Sequence, residues 1–369
     1  MQEQVGTQSV RAAVIGLGWA GEQHLKGYKQ LPGVEVLAIA GLEQDRGREL
    51  CETYAVPDYY VNYEELLARN DIDAVSVAVP NYLHAPIGIA ALRSGKHVLC
   101  EKPLALNGDE AQQMVDAAEE AGRVLEVAFN YRKRGDAVVL KRYIDEGHLG
   151  RVYYAKAHWM RRSGIPGLGS WFTRKAMAGG GPLIDLGVHV LDLAMWLMGE
   201  PEVRSVSAST YAELGPRGRG GRVGMAAKFG EGSATPYEVE DLATAFIRLQ
   251  GGVTLSLEAS WATYSSAVDD FGVVLYGTEG GAEIEVKNYG WERTLNIFTD
   301  VGGVPADIQP RVTRGEGHSG VVRDFITKIR TGQAPLSGGR EGLRRARIID
   351  ACYASATEGQ EIEFAAGTG

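Results

Sequence analysis

The order of apolar and polar residues in the first third of the chain constrains the fold more than any other feature. Residues 10–15 (VRAAVI), 34–40 (VEVLAIA), 73–79 (DAVSVAV), 97–101 and 124–128 are short apolar runs that read as buried strands. Residues 20–31, 45–54, 84–93 and 109–121 lie between them and read as helices. Strands alternating with helices at this rhythm predict an α/β fold, a parallel doubly wound sheet covered on both faces. In such a sheet ligands bind beyond the carboxyl ends of the strands. The glycines after Ile15, the loop at Pro80 and the loop at Lys102 are therefore expected along one edge.

Gly16-Leu17-Gly18-Trp19-Ala20-Gly21 fits G-x-G-x-x-G between the first strand and the first helix. In that pattern the first glycine makes the tight turn. The second lets the backbone approach a pyrophosphate, and the third lets helix and strand pack closely. The chain has 49 glycines, so the pattern gains its weight from its position in a βαβ unit. An acid at the end of the second strand would hold an adenosine ribose, and Glu43 is the nearest one. Arg46 and Arg48 fall inside the next helix rather than at the strand end. NAD is the expected cofactor, with NADP left open.

After about residue 130 the rhythm changes, which divides the chain into an expected dinucleotide-binding domain (1–130) and a second domain (131–369). Helices are expected at 138–146 and 183–198, with strands at 152–160, 203–211, 243–249, 253–260 and 272–276. This is an α+β domain with one large, mostly antiparallel open sheet. An open sheet leaves a face to cover, so a homo-oligomer (dimer, tetramer or higher) is expected. Residues 214–235 are rich in Gly and Arg and read as an exposed loop, either without chemistry or acting as a lid or arm.

Two short segments carry chemistry. Glu101-Lys102-Pro103 closes the fourth strand, where a lysine can donate to the oxygen of a reacting alcohol or ketone. Asp185 and His189 are four apart on an otherwise apolar helix, so the carboxylate can orient the imidazole. A histidine titrating near neutrality suits a general base. His189 with Asp192 gives two ligands and no third, so no metal is expected.

Net charge is −9 with scattered basic residues, which argues against nucleic acid. The pairs Arg161–Arg162 and Arg344–Arg345 read as solvated positions. No leader is visible in residues 1–9, and no apolar run approaches the roughly 20 residues of a membrane span. Cys51, Cys100 and Cys352 are too scattered for a disulfide framework and read as buried apolar residues, which fits a cytoplasmic protein.

The chain resembles the glucose–fructose oxidoreductase/inositol dehydrogenase/rhizopine-catabolism (Gfo/Idh/MocA) family. The likeness rests on GLGWAG, VPNYLH (79–84), CEKPLALN (100–107) and GGGPLIDLGVHVLDLAMWLMG (179–199). It continues through VEDLATAFIRL (239–249), ASW (259–261), YGTEGG (276–281) and GLRRARIIDACYASATEGQ (342–360). The resemblance implies that His189 takes a hydroxyl proton, Lys102 polarises the oxygen and Asp185 orients the imidazole. It implies cofactor contacts at Asn81, Glu101 and Lys102, to which Pro80 and His84 are added. Asn130 and Arg132, near the expected domain junction, are candidate substrate contacts. The family's second-strand acid is replaced by Gly41, and residues 217–222 have no counterpart in its pattern. The implied activity is oxidation of a secondary hydroxyl on a sugar, glycoside or cyclic polyol, best placed at C3 of a pyranoside. Inositol oxidation, a redox-neutral enzyme with trapped NAD, and a cofactor-sensing regulator are the alternatives.

Overall fold

The computed structural model describes residues 9–221, 237–335 and 337–365. The chain divides into two compact units, one of residues 1–133 and 316–346, the other of residues 134–315 and 347–369.

The first unit is built on six parallel strands, β1 (Val10–Ile15), β2 (Val34–Ala40), β3 (Asp58–Tyr60), β4 (Ala74–Val77), β5 (His97–Cys100) and β6 (Leu125–Val127), in the order β3-β2-β1-β4-β5-β6. Helices Trp19–Lys29, Gln44–Tyr54, His84–Arg93 and Gly108–Ala121 connect them. Local chemistry sets the helix ends. Asn107 Oδ1 accepts the Glu110 N–H at 2.9 Å, and Gly122 closes the same helix at φ 61°. Strand order reverses between β1 and β4, the switch point at which doubly wound sheets bind ligands.

Two features depart from the sequence expectation. The sheet has a sixth strand, β3, followed by a short helix at Tyr63–Leu67. Three edge residues carry no alternation to announce them. They are held by pairing of Asp58 with Ala38 and by the Tyr59 hydroxyl donating to Gly41 O at 2.8 Å. Residues 316–346 were expected in the second domain, yet they belong with the first unit. The cause is burial. Val321, Val322, Phe325 and Ile326 of helix Gly317–Thr331 enter the core formed by Val10, Val14, Leu25 and Tyr28. Gly27 lets that helix approach, since a Cβ there would lie 3.0 Å from Val322.

The second unit is a nine-stranded sheet with β7 (Val152–Arg161), β8 (Val203–Tyr211), β9 (Leu242–Leu249), β10 (Thr254–Ser260), β11 (Asp269–Gly277), β12 (Gly281–Lys287), β13 (Leu295–Val301), β14 (Val304–Ile308) and β15 (Ile362–Glu363). Their order is β14-β13-β12-β11-β7-β10-β9-β8-β15, and among the described residues only β7 and β10 pair in parallel as strands. Alternation decides the faces. Ala155, Ala157, Trp159, Leu255, Leu257, Val273 and Leu275 point to the buried side, against helices Gly135–Asp145 and Val188–Leu197. Tyr154, Lys156, Tyr276 and Phe246 share the opposite face, with the two tyrosine rings stacked at 5.3 Å.

The stretch 175–197 is long and apolar enough by composition to cross a membrane, but 89% of its apolar window is buried inside the protein, as in a core helix. The segment 214–221 is held down rather than loose. Asp241 accepts the N–H groups of Leu214 and Gly215, and Gly220 O accepts those of Gly164 and Ile165. The rest of the Gly/Arg loop, 222–235, lies outside the described residues. All three cysteines are free, with Cys51 half-buried rather than buried.

Candidate functional site

In the first unit the glycine loop shows why each glycine stands where it does. Gly16 has φ +110°, and a Cβ there would lie 2.0 Å from Ala78 O. At Gly21 a Cβ would lie 2.0 Å from Gly16 O, so helix and loop pack backbone to backbone. Gly18 is different, because its Cβ would meet nothing within 4 Å. The protein itself does not demand glycine at that position, whereas a close-lying pyrophosphate does. As the cap of helix Trp19–Lys29, Gly18 offers no side chain to the first N–H groups, which suits a phosphate site. Trp19 is 68% exposed beside it, and Ala20 is half-buried. These residues fit a dinucleotide.

The ribose end is altered. A Cβ on Gly41 would lie 2.5 Å from Leu17 Cγ, so packing against Leu17 favours the glycine that replaces the usual acid. Glu43 is exposed and stands at the start of helix Gln44–Tyr54. Arg46 is paired with Glu22 at 2.6 Å and Glu49 at 2.8 Å, and Arg48 with Asp45 at 3.4 Å. Both guanidinium groups are engaged by carboxylates rather than set aside for a 2′-phosphate.

Pro80 opens the 3-10 turn Asn81–Leu83, and Asn81 is buried. His84, expected at the cofactor, makes two contacts within the protein. It is 1% exposed, with Nδ1 2.7 Å from Pro103 O and Nε2 2.8 Å from Val79 O. It ties the loop after β4 to the loop after β5. Burial pushes its pKa down, against the pull of the two carbonyls.

Glu101 is likewise turned inward. Its Oε1 lies 3.1 Å from His24 Nε2 and 3.5 Å from His318 Nε2, while Oε2 accepts the Lys102 N–H at 3.1 Å. Burial alone would raise this carboxyl's pKa, but the two imidazoles hold it well below the usual value. Lys102 is half-buried at the end of this segment. Arg132 is occupied within the unit, at 2.5 Å from Glu341 and over the Phe129 ring. Asn130 keeps a buried Oδ1 with no hydrogen-bond partner among the described residues.

In the second unit Asp185 sits in a π-helical turn, Leu183–Gly187, that runs into helix Val188–Leu197. Such turns interrupt α-helices at functional positions more often than chance. Asp185 Oδ2 accepts the Trp261 indole N–H at 2.9 Å. His189 is 8% exposed, with its ring 5.6 Å from that of Trp159. The indole N–H of Trp159 donates to Asp269, which also receives Arg161, and Arg161 reaches the Tyr289 hydroxyl at 2.7 Å.

Several participants were not singled out from sequence. Arg161 and Arg345, read as solvated, are 5% and 1% exposed. Trp261 lies in ASW and Glu240 in VEDLATA, both quoted above, but only the fold brings them to the Asp185 helix. His24, three residues past Gly21, was readable as a polar residue on a helix face otherwise filled by Leu25 and Tyr28.

A glycine-loop Rossmann unit joined to an α+β unit with a large open sheet defines a two-domain, nicotinamide-type oxidoreductase. Residues 10–129 match the family model described as an oxidoreductase family with NAD-binding Rossmann fold, and residues 137–283 match the GFO/IDH/MocA C-terminal domain. The chain belongs to the GFO/IDH/MocA oxidoreductase family. It is 30% identical over 366 residues to D-glucoside 3-dehydrogenase of Escherichia coli (strain K12), covering 99% of this chain and 100% of that one. It is 29% identical to levoglucosan dehydrogenase of Pseudarthrobacter phenanthrenivorans, covering 95% and 97% of the two chains. Among solved structures, levoglucosan dehydrogenase in complex with NADH and levoglucosan matches with a TM-score of 0.81 and 27% identity, over 96% of this chain and 99% of that one.

Proposed function

We propose that the chain is an NAD-dependent dehydrogenase of a sugar or glycoside, oxidising a secondary hydroxyl at C3 of a pyranoside. The end-to-end likeness to D-glucoside 3-dehydrogenase carries the substrate class. Gly16, Gly18, Trp19, Ala20 and Gly21 would hold the dinucleotide, with Glu43 nearest for the ribose and Pro80 and Asn81 toward the nicotinamide. When bound, the nicotinamide supplies the hydride acceptor. Lys102 binds the substrate oxygen through its ammonium group and stabilises the charge that develops there. His189 removes the hydroxyl proton. Its Nδ1 is buried, so Nε2 is the nitrogen proposed to take it. Asp185, four residues before His189 and fixed by the Trp261 indole, is the carboxylate proposed to supply negative charge beside that imidazole. Arg132, expected at the substrate, and Glu101, expected at the cofactor, also make contacts inside the first unit.

We further propose a cytoplasmic homo-oligomer. The face carrying Tyr154, Tyr276 and Phe246 supports association, and three free cysteines suit a reducing compartment. Light scattering giving only monomer mass would remove the assembly.

The test is to identify any nucleotide released on denaturation, then to titrate NAD and NADP against pyranosides and inositols while following reduced cofactor. Lys102→Ala is expected to lose at least about a hundredfold in kcat/KM. Full turnover by that variant would defeat the catalytic assignment. A trapped nucleotide with no external reduction would replace the dehydrogenase with a redox-neutral enzyme.

A further inference from the structure

The proposed chemistry makes no use of the buried cluster His24, Glu101 and His318 in the first unit. These side chains are contributed by three distant segments: the helix behind the glycine loop, the end of β5, and helix Gly317–Thr331, to which the chain returns after building the second unit. A carboxylate and two imidazoles are costly to bury unless they satisfy one another. His24 is fully buried, Glu101 is 7% exposed, and the His318 side chain is 12% exposed.

We infer that His24 and His318 are positioning residues that act through the Glu101 carboxylate to fix the backbone that presents Lys102. The inference rests on the role proposed above for Lys102.

The geometry runs in one direction. β5 ends at Cys100, and the Glu101 N–H still reaches Val77 O at 2.9 Å. The next N–H, that of Lys102, donates to Glu101 Oε2. A carboxylate can hold its neighbour's N–H only if it is itself held. The other oxygen provides this, lying against both imidazole Nε2 atoms. His318 is in turn met edge-on by the Trp19 ring of the glycine loop, at 5.1 Å and 88°. Helix Gly317–Thr331 thus supplies more than apolar filling to the first unit. It carries a polar group to the root of the Lys102 loop.

The same three groups lie within 4.8 Å of one another, which is metal-ligand reach. His24 Nδ1, however, is buried without a partner among the described residues. A metal-ligating imidazole almost always donates through its second nitrogen.

The experiment compares His318→Leu and His318→Gln with the wild-type protein, using NAD and a pyranoside substrate from the screen above. His318→Leu removes the donor. His318→Gln places an amide N–H near the former Nε2. The Leu variant is expected to lose on the order of tenfold in kcat, while its NAD dissociation constant moves by less than about threefold. The Gln variant is expected to recover most of that kcat. A merely structural role would lower thermal stability and both constants together, without rescue by Gln. Unchanged kcat in His318→Leu, or Leu and Gln variants failing alike, would overturn the inference. Lys102→Ala is run beside them. If it is inactive while His318→Leu is unaffected, only the positioning role falls. If it turns over fully, the reading of Lys102 falls first. Stoichiometric zinc retained through dialysis and lost in His318→Leu would also overturn the inference, in favour of a metal site.

Discussion

Glu240 stands at the foot of the helical run that carries Asp185 and His189. Its Oε2 accepts the Gly181 N–H at 2.9 Å, and its Oε1 accepts the Leu183 N–H at 3.1 Å and the Tyr353 hydroxyl at 3.0 Å. The residue is 7% exposed, so water does not readily replace it. Glu240→Ala strands three donors. Each buried donor left unmade costs about 1–3 kcal/mol, and allowing for partial relaxation the loss is roughly 4–6 kcal/mol. That is a large share of a total stability of about 5–15 kcal/mol. The backbone has no slack with which to heal the gap. A Cβ on Gly181 would already lie 2.1 Å from Glu240 O, and one on Gly180 would lie 1.9 Å from the Tyr353 hydroxyl oxygen. Glu240→Gln keeps one oxygen but turns an amide N–H toward another N–H, costing about 1–3 kcal/mol. Urea unfolding followed by tryptophan fluorescence measures both. Glu240→Ala within about 1 kcal/mol of wild type would refute the reasoning.

The same residue predicts a sign with pH. Burial pushes the Glu240 carboxyl up, and the donors around it pull back without cancelling the shift. A folded pKa above the unfolded one gives stability that is complete below the ordinary value of 4.5 and lost as pH rises through the folded value. Glu240→Gln has no proton to lose, so its deficit against wild type should shrink as pH is raised through that window.

Two further predictions separate the cofactor from the scaffold. Gly18→Ala meets nothing within 4 Å in the protein, so its stability should stay within about 0.5 kcal/mol of wild type while NAD affinity falls on the order of tenfold; unchanged affinity in a calorimetric titration would remove the pyrophosphate from this loop. His97 accepts the Val124 N–H, and burial, aided by the Arg123 guanidinium, pushes its pKa down from 6.5 to about 4. That contribution to stability is complete above pH 6.5 and lost as pH falls toward 4, so thermal midpoints of His97→Asn, which keeps an acceptor, should decline less than wild type over that window.

The first unit was legible because its elements are local. Every strand of the doubly wound sheet except β3 announces itself by an apolar run, and the glycine loop follows the first of them. What escaped the sequence was set by distant contacts. β3 has three residues and is defined by its neighbour β2 and by Tyr59. Helix Gly317–Thr331 shows apolar periodicity, but periodicity does not say which core receives it, and here Val322 and Phe325 fill a core begun by Val10. Arg161 and Arg345 were misread because charge patterning does not show burial; Arg161 is buried against Asp269.

The two units share a device and use it with opposite electrostatics. In each, a buried glutamate holds the segment that presents a proposed catalytic group: Glu101 for Lys102, and Glu240 for Asp185 and His189. Glu101 faces two imidazoles, which can carry charge, and its carboxyl is held well below the usual range. Glu240 faces backbone N–H groups and a tyrosine hydroxyl, all neutral, and burial prevails, so its carboxyl moves up. The difference follows from the partners, because a neutral donor offsets only part of the cost of burying a charge. It follows that a neutral amide should be tolerated better at Glu240 than at Glu101. At Glu101 the amide would leave both imidazoles without the anion they face and would also weaken the grip on the Lys102 N–H.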